Sequence, residues 1–235
     1  EGNFELNESY REIRTYVTIN KNIKTILVTS AEMDEGKTTI ICNLAKCFSE
    51  LEGVRVLLID CDFRKRGVSR YFGIENSFGV SDIVFGNNKK SECIKKVGDL
   101  DIITSGGVRR CCLVGIYINC YYDYSKDLVS KLREEYDYVF IDSPPICRLN
   151  DACIITQYVD GTIIVNAAKA IDSKGAKITL DKLNKVGANI IGVVLNKFKA
   201  EKYSYYSNYY GYSNYYGEHK HKLFGRKKKR RRKTS

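Results

Sequence analysis

The chain has 235 residues, 43% of them hydrophobic, and a formal net charge of +11. This length and composition predict one medium-sized domain, with or without a tail. No run approaches the roughly 18 apolar residues of a membrane span, and no signal peptide is visible. The run at residues 226–233 is entirely basic and leaves only +3 for the rest of the chain, so charge does not indicate a basic nucleic-acid-binding face on the domain.

Cysteine usage indicates a reducing compartment. The nine cysteines are odd in number and contain no C-x-x-C pair. A disulfide framework or a zinc site is therefore not predicted, and a cytosolic location is.

Predicted helices and strands alternate from residue 5 to residue 196. Continuous apolar segments, typical of buried strands, cover residues 25–29, 54–60, 100–104, 138–142, 161–166 and 189–196. Segments with helical spacing cover residues 5–20, 37–52, 81–86, 91–97, 123–136, 151–158 and 173–186, and residues 105–122 are predicted to be irregular. This order predicts an α/β fold, with a mostly parallel sheet and helices on both faces.

The loop after the first strand carries the clearest chemical signal. Residues 31–39 read Ala-Glu-Met-Asp-Glu-Gly-Lys-Thr-Thr, so Gly-Lys-Thr opens a helix soon after a strand. Backbone N–H groups and a helix N-terminus can hold a phosphate chain in that setting. Lys37 would reach the terminal phosphates, and the Thr38 hydroxyl would bind Mg²⁺. The motif usually begins with Gly, where Ala31 stands here; the alternative is a surface turn that contains a lysine.

Three carboxylates are predicted to join this loop. Asp60 ends the second strand, Asp62 follows two residues later, and Asp142 ends the strand at 138–142. Ligands of parallel sheets bind beyond the carboxyl ends of the strands, which places these groups near Lys37. Asp142 fits the acid that holds Mg²⁺, while Asp60 and Asp62 could bind the metal or accept a proton from an attacking hydroxyl. Asp also ends strands because it suits turns, which is the structural alternative.

The pattern stops after residue 199. Residues 203–216 contain tyrosines spaced only by Ser, Asn and Gly, which predicts an exposed, disordered segment. The tyrosines are Tyr203, Tyr205, Tyr206, Tyr209, Tyr210, Tyr212, Tyr215 and Tyr216.

These segments resemble one family, the bacterial tyrosine kinases of capsule and exopolysaccharide operons (the CapB type and the cytoplasmic domain of the Wzc type). Residues 30–39 resemble its Walker A motif, residues 57–64 (Leu-Leu-Ile-Asp-Cys-Asp-Phe-Arg) its A′ motif, and residues 140–145 (Phe-Ile-Asp-Ser-Pro-Pro) its Walker B motif. The N-terminal oligomerisation motif is matched by Glu8, Arg11 and Arg14. Residues 159–161, residues 192–196 and the tyrosine cluster also match, so the resemblance covers the chain to about Tyr216.

The resemblance implies an ATP- and Mg²⁺-dependent protein-tyrosine kinase with a P-loop NTPase-like fold. It implies phosphorylation of the tyrosine cluster of a neighbouring subunit in a ring, and of exogenous protein substrates. Lys37, Asp60, Asp62 and Asp142 would be catalytic, with Thr38 and the three Asp residues at the metal, and which Asp deprotonates the tyrosine is left open. The residues expected to bind ATP are Glu35, Gly36, Lys37, Thr38, Thr39 and Arg64.

The family also implies an organisation and a partner. Residues 1–20 would form an oligomerisation helix, residues 21–200 the kinase domain, and residues 201–235 a disordered tail. A transmembrane polysaccharide co-polymerase-type activator, as a separate chain or an upstream fused segment, would hold the kinase at the inner face of the cell membrane. The basic run could also contact anionic lipid.

Two departures from the family matter. Met33 and Asp34 stand where the family usually has Pro and a small residue, so the phosphate loop carries an extra acid. Asp34 could lower ATP affinity or serve as a solvated turn, and we favour the turn. Residues 109–116 replace a Pro-rich segment, which puts the family's contact between subunits there in doubt.

Two other functions compete with a kinase. A partitioning or cell-division-site ATPase (the ParA and MinD type) would share the sheet, but its loop has an extra lysine where Glu32 stands here. Alternatively, the tyrosine-rich and basic tail could bind nucleic acid through base stacking and phosphate contacts. The aromatic and basic blocks follow one another instead of interleaving, which weakens that alternative.

Overall fold

The computed structural model describes residues 2–107, 118–168 and 173–198, and the side chains of residues 6–107, 126–168 and 174–198. The tyrosine cluster, the basic run and residues 109–116 lie outside the described residues, so what was predicted for them stays a prediction. Among the described helices, none combines the length and the apolar character that crossing a membrane requires.

The described residues form one seven-stranded sheet, which is parallel except at one edge. Its strands are β1 (Thr25–Ser30), β2 (Val56–Asp60), β3 (Ile94–Val97), β4 (Leu100–Ile103), β5 (Tyr138–Asp142), β6 (Gly161–Ala167) and β7 (Ile190–Asn196). Their order across the sheet is β3-β4-β2-β5-β1-β6-β7. The predicted α/β class with a mostly parallel sheet is confirmed.

Helices connect most of these strands. They are α1 (Gly2–Ile19), α2 (Lys37–Ser49), α3 (Gly67–Phe72), α4 (Val80–Val84), α5 (Lys90–Cys93), α6 (Ile118–Glu135), α7 (Asp151–Ile155, continued by a 3₁₀ turn at Thr156–Tyr158) and α8 (Ser173–Lys185). Chains that alternate in this way bury both faces of a parallel sheet.

Three local predictions are wrong. Residues 91–97 do not form one helix, because α5 ends at Cys93 and β3 pairs antiparallel with β4. The left-handed Gly98 (φ 61°) turns the chain between those two strands. Residues 118–122 belong to α6 although an irregular segment was predicted, and the short helix α3 was not predicted at all.

Each face of the sheet has its own hydrophobic core. On one face the side chains of α1, α2 and α3 cover the strands, with Phe48 packed edge-on against Phe140 and Tyr138. On the other face the covering side chains come from α4, α6, α7 and α8. In β1 and β2 every residue is buried, which is why their central apolar residues follow one another without alternating with polar ones.

Asp160 links the start of β1 to α6 through one carboxylate oxygen. Its Oδ2 accepts hydrogen bonds from the backbone N–H groups of Lys24 (3.0 Å) and Thr25 (2.9 Å), the Thr25 hydroxyl (2.9 Å) and Nε of Arg133 (3.2 Å). Partial burial alone would raise the pKa of the Asp160 carboxyl, but hydrogen bonds from Arg133 and β1 outweigh burial and lower that pKa. Asp160 therefore stabilises the fold in its charged form.

We expect Asp160→Asn to lower the free energy of unfolding at pH 7 by about 2 kcal/mol, since hydrogen bonds to a charged group are lost. The carboxyl pKa is depressed in the folded state. Its contribution is therefore present above the unfolded pKa of about 3.9 and disappears as the pH falls through the folded value. Urea unfolding of both proteins from pH 7 to pH 3 should show the difference shrinking only at the acidic end. Asp99→Asn, in an exposed turn, is the control and should change stability little.

Candidate active site

The sheet order brings three loops to one edge. β5 lies between β1 and β2, so the carboxyl ends of these three strands are neighbours. Asp60 and Asp142 are register partners at the ends of β2 and β5. The loop that ends at Lys37 follows β1, which places it against both acids.

Lys37 lies among the carboxylates. Its Nζ is 3.0 Å from Asp62 Oδ2 and 3.7 Å from Asp142 Oδ1, and its side chain is only 7% exposed. The next residue in the helix, Thr38, donates its hydroxyl to Asp142 Oδ2 at 2.7 Å. The first turn of α2 thus contacts the acids that follow β2 and β5, as predicted.

Asp60 and Asp62 have different surroundings. Both oxygens of Asp60 accept backbone N–H groups, from Asp62 (3.0 Å) and from Val68 (3.2 Å). Asp62 accepts the Lys65 backbone N–H at 3.1 Å with Oδ1 and Lys37 Nζ with Oδ2. Asp60 therefore organises the loop after β2, whereas Asp62 faces the ammonium group.

The electrostatics follow from burial. Desolvation raises the pKa of Asp60 to about 8, and the nearby charge of Asp142 adds to this effect. Burial likewise raises the pKa of Asp142, although Lys37 and the Thr38 hydroxyl oppose the shift. Burial alone would lower the pKa of Lys37, but the charges of Asp142 and Asp62 outweigh it and keep the amine protonated. One buried cation thus lies among buried carboxyl groups whose charged forms are disfavoured by burial.

Buried contacts hold the phosphate loop in place. The Glu35 carboxylate accepts the N–H groups of Glu32 (2.8 Å) and Ala167 (3.3 Å), which links the loop to the end of β6. The Asn196 side chain donates to the Glu35 carbonyl at 2.8 Å, which links it to β7. Gly36, with φ 91°, lies so close that a Cβ there would be 2.0 Å from Asn196 Nδ2. Only glycine fits this position.

Exposed ion pairs connect the same loop to its neighbours. Glu32 pairs with Arg148 of the loop after β5 at 2.8 Å. Asp34 pairs with Lys65 of the loop after β2 at 2.7 Å and has a left-handed backbone with φ 61°. Asp34 therefore lies in a turn and its side chain is 83% exposed, while its effect on ATP affinity stays a prediction.

The site suits a magnesium ion. Asp142 Oδ1 is buried and lies 3.7 Å from the Lys37 ammonium group, but it makes no hydrogen bond, which is costly for a buried carboxylate oxygen. No group of three or more His, Cys, Asp or Glu side chains among the described residues forms a ready metal cage. Mg²⁺ characteristically uses one or two carboxylates together with phosphates and water. Asp142 and the Thr38 hydroxyl match that donor set.

Not every residue singled out from the sequence points into the site. Thr39 and Arg64 are exposed, and the charge of Arg64 acts on Asp151 at the start of α7. On α1, Arg11 pairs with Glu8 within the helix, and Arg14 donates to the Cys47 carbonyl in α2. Their predicted role between subunits stays a prediction.

Sequence reasoning missed the supporting contacts of Lys65, Asn196 and Lys197. Asn196 belonged to a matched motif at residues 192–196, which was the available signal. Gly67 was missed as well; a Cβ there would lie 2.7 Å from the Thr38 side chain, so this glycine lets α3 approach the site.

The fold and this site define a P-loop nucleotide-binding domain, and residues 23–194 match the AAA domain family. Over 209 residues the chain is 30% identical to the tyrosine-protein kinase YwqD of Bacillus subtilis, covering 87% of this chain and 86% of that protein. It is also similar to the solved kinase domain of the Escherichia coli tyrosine kinase ETK, with 26% identity, a TM-score of 0.74, and coverage of 81% of this chain and 74% of that one. The chain belongs to the bacterial tyrosine-protein kinases, and it is a kinase-type enzyme.

The similarity to partitioning ATPases concerns the fold alone. A ParA family ATPase from Chlorobium tepidum matches with 20% identity and a TM-score of 0.60, over 74% of this chain and 73% of that one. The position of the partitioning ATPase's extra lysine holds Glu32, which pairs with Arg148.

Gly36→Ala should abolish nucleotide binding, because the new methyl group must displace Asn196 and with it the loop. Gly53→Ala is a matched control, since Gly53 also has a positive φ (73°) but nothing lies within 4 Å of its would-be Cβ. Both variants should lose about 1 kcal/mol of stability from the left-handed backbone. Titration with a fluorescent ATP analogue should show that only the Gly36 variant loses binding, and equal affinities would contradict this account of the loop.

Proposed function

We propose that this protein is an ATP- and Mg²⁺-dependent protein-tyrosine kinase that phosphorylates the tyrosine cluster at residues 203–216 of a neighbouring subunit and regulates capsular or exopolysaccharide synthesis or export. The observation that supports it most directly is the convergence of Lys37, Thr38, Asp62 and Asp142 at one edge of the sheet. Family membership supports the choice of tyrosine as acceptor.

Each side chain has a proposed role. The N-terminus of α2 and Lys37 would bind the phosphates, where partial and full positive charges favour the anion. Thr38 and Asp142 would hold Mg²⁺, which when bound neutralises charge on the phosphates. Asp62 would orient the tyrosine hydroxyl and accept its proton once Lys37 has turned toward the phosphates. Asp60 would position this loop, because both of its oxygens already accept backbone N–H groups.

The proposed assembly places the acceptor on a different subunit from the site. Glu8, Arg11 and Arg14 would pair between subunits of a ring, exchanging the contacts that they make within one chain. Exogenous protein tyrosines would use the same site. A transmembrane activator of the polysaccharide co-polymerase type would hold the kinase at the inner face of the membrane.

Phosphotyrosine should form on residues 203–216 when the purified chain is incubated with ATP and Mg²⁺. In Lys37→Met we expect a loss of about a hundredfold or more, since a preorganised cation at the transferred phosphate is removed. Lys46→Met, in the last turn of the same helix, is the control and should retain activity. Phosphopeptide mapping by mass spectrometry measures both.

Mixing the wild-type enzyme with Lys37→Met distinguishes phosphorylation within one chain from phosphorylation between subunits. Transfer between subunits predicts phosphotyrosine on the inactive chain, which carries an affinity tag so that it can be separated from the wild-type enzyme before mapping. Cluster phosphorylation that persists in Lys37→Met alone would refute the site.

RNA binding that depends steeply on salt and is unchanged by Lys37→Met, in a chain without kinase activity, would instead favour the nucleic-acid alternative.

Phosphorylation should also release the tail from anionic lipid. A basic residue near an anionic membrane contributes about 1 kcal/mol, and each phosphate adds roughly −1.5 to −2 charges. Half of the tyrosines, once phosphorylated, would therefore offset most of the basic run. Co-sedimentation with phosphatidylserine vesicles should fall after phosphorylation, and neutral vesicles are the control. Equal binding of both forms to the anionic vesicles would exclude this role.

A further inference from the structure

Two lysines from different loops converge on Asp34. Lys65, in the loop after β2, places its Nζ 2.7 Å from Asp34 Oδ1, and Lys197, just after β7, donates its Nζ to the Asp34 carbonyl. The Lys65 bond and its charge lower the pKa of the Asp34 carboxyl, and the charges of Lys197 and Lys37 add smaller contributions. Asp34 thus lies in a cluster of positive charge at the rim of the phosphate loop.

Backbone strain is concentrated at the same contact. Among the described residues, three that are not glycine have a positive φ: Asp34 (61°), Lys197 (56°) and Arg66 (48°), which follows Lys65. Such conformations are uncommon outside glycine, and they persist where the surrounding structure holds them. Asp34 and Lys197 belong to this contact, and Arg66 is the neighbour of Lys65, which also belongs to it.

Lys65 contacts both the acid beside Lys37 and the phosphate loop. Its backbone N–H donates to Asp62 Oδ1, and the other oxygen of Asp62 contacts Lys37. Its Nζ contacts Asp34 in the phosphate loop. A triphosphate bound to the backbone of residues 32–37 would therefore be close to the ammonium group of Lys65.

The ion pair between Lys65 and Asp34 is weak enough for Lys65 to exchange Asp34 for another anion. The Asp34 side chain is 83% exposed and that of Lys65 36%. Exposed ion pairs contribute little to stability, whereas a triphosphate offers several charges at once. The flexible stem of lysine allows its ammonium group to move between two nearby anions.

We propose that Lys65 is a phosphate-binding residue, held by Asp34 in the unliganded chain and transferred to the terminal phosphates when a nucleoside triphosphate binds. Asp34 then competes with the nucleotide for Lys65 and lowers the affinity of the site. This inference rests on the nucleotide site of the proposed function and adds a residue to it.

The test is a double-mutant cycle on the full chain, with the affinities for Mg²⁺-ATP and Mg²⁺-ADP measured by calorimetry. Lys65→Met should weaken ATP binding about tenfold, as expected for a lost charge-assisted contact, and should weaken ADP binding less. Asp34→Asn should tighten ATP binding about threefold, since Lys65 no longer has to leave a carboxylate. In the Lys65→Met background the effect of Asp34→Asn should disappear.

The ion pair between Lys90 and Glu135 provides the matched control. It is also exposed, and Glu135 ends α6 just before β5 begins, at the opposite edge of the sheet. Lys90→Met, Glu135→Gln and their double variant should leave both affinities unchanged. Lys65→Arg should restore part of the lost ATP affinity, because it keeps the positive charge.

Two results would overturn the inference. ATP binding by Lys65→Met that equals wild type would show that Lys65 does not bind phosphate. A tightening by Asp34→Asn of equal size in both backgrounds would show that Asp34 acts on the phosphates directly. Either result, in a wild-type chain that binds ATP and forms phosphotyrosine, leaves the proposed function intact. A wild-type chain that binds no ATP would refute the proposed function itself.

Discussion

The site is built around one buried ammonium group, the Nζ of Lys37, between the carboxylates of Asp62 and Asp142. A buried charge is tolerated only when it is paired, and here each partner needs the others. Without Lys37 the acids would repel each other at the end of the sheet. Without the acids, burial would lower the pKa of the amine. This mutual dependence explains why three loops that are far apart in sequence hold one arrangement, and why the arrangement is poised to accept a metal and an anion.

The phosphate loop is held by two kinds of contact with different consequences. Inside the protein, the Glu35 carboxylate accepts the Ala167 N–H and the Asn196 side chain donates to the Glu35 carbonyl, which fixes the loop to β6 and β7. Exposed pairs from Glu32 and Asp34 join it to the loops after β5 and β2. The buried contacts set the shape of the loop because an unmade bond there is costly. The exposed pairs can open and close, so they are suited to respond when a charged ligand arrives.

Asp60 and Asp62 have identical side chains, but their positions give them different partners and therefore different roles. Asp60 ends β2, Asp62 lies two residues further on, and both are buried. Asp60 accepts two backbone N–H groups and has its pKa raised to about 8 by burial. Asp62 instead contacts the ammonium group of Lys37. Sequence spacing left these roles open, since either carboxylate could have faced the metal or the acceptor.

The α/β class, most of the strands and the approximate site were predictable from sequence, because apolar runs and the Gly-Lys-Thr loop are local signals. Lys37, Thr38, Asp62 and Asp142 could be named because the carboxyl ends of parallel strands share one edge. Local sequence did not predict the insertion of β5 between β1 and β2, the antiparallel strand β3, or the contacts of Lys65, Asn196 and Lys197. These depend on pairing between residues distant in sequence, which local pattern does not specify. The sequence by itself therefore determined the chemistry available to this protein, and only the tertiary structure decided which groups meet.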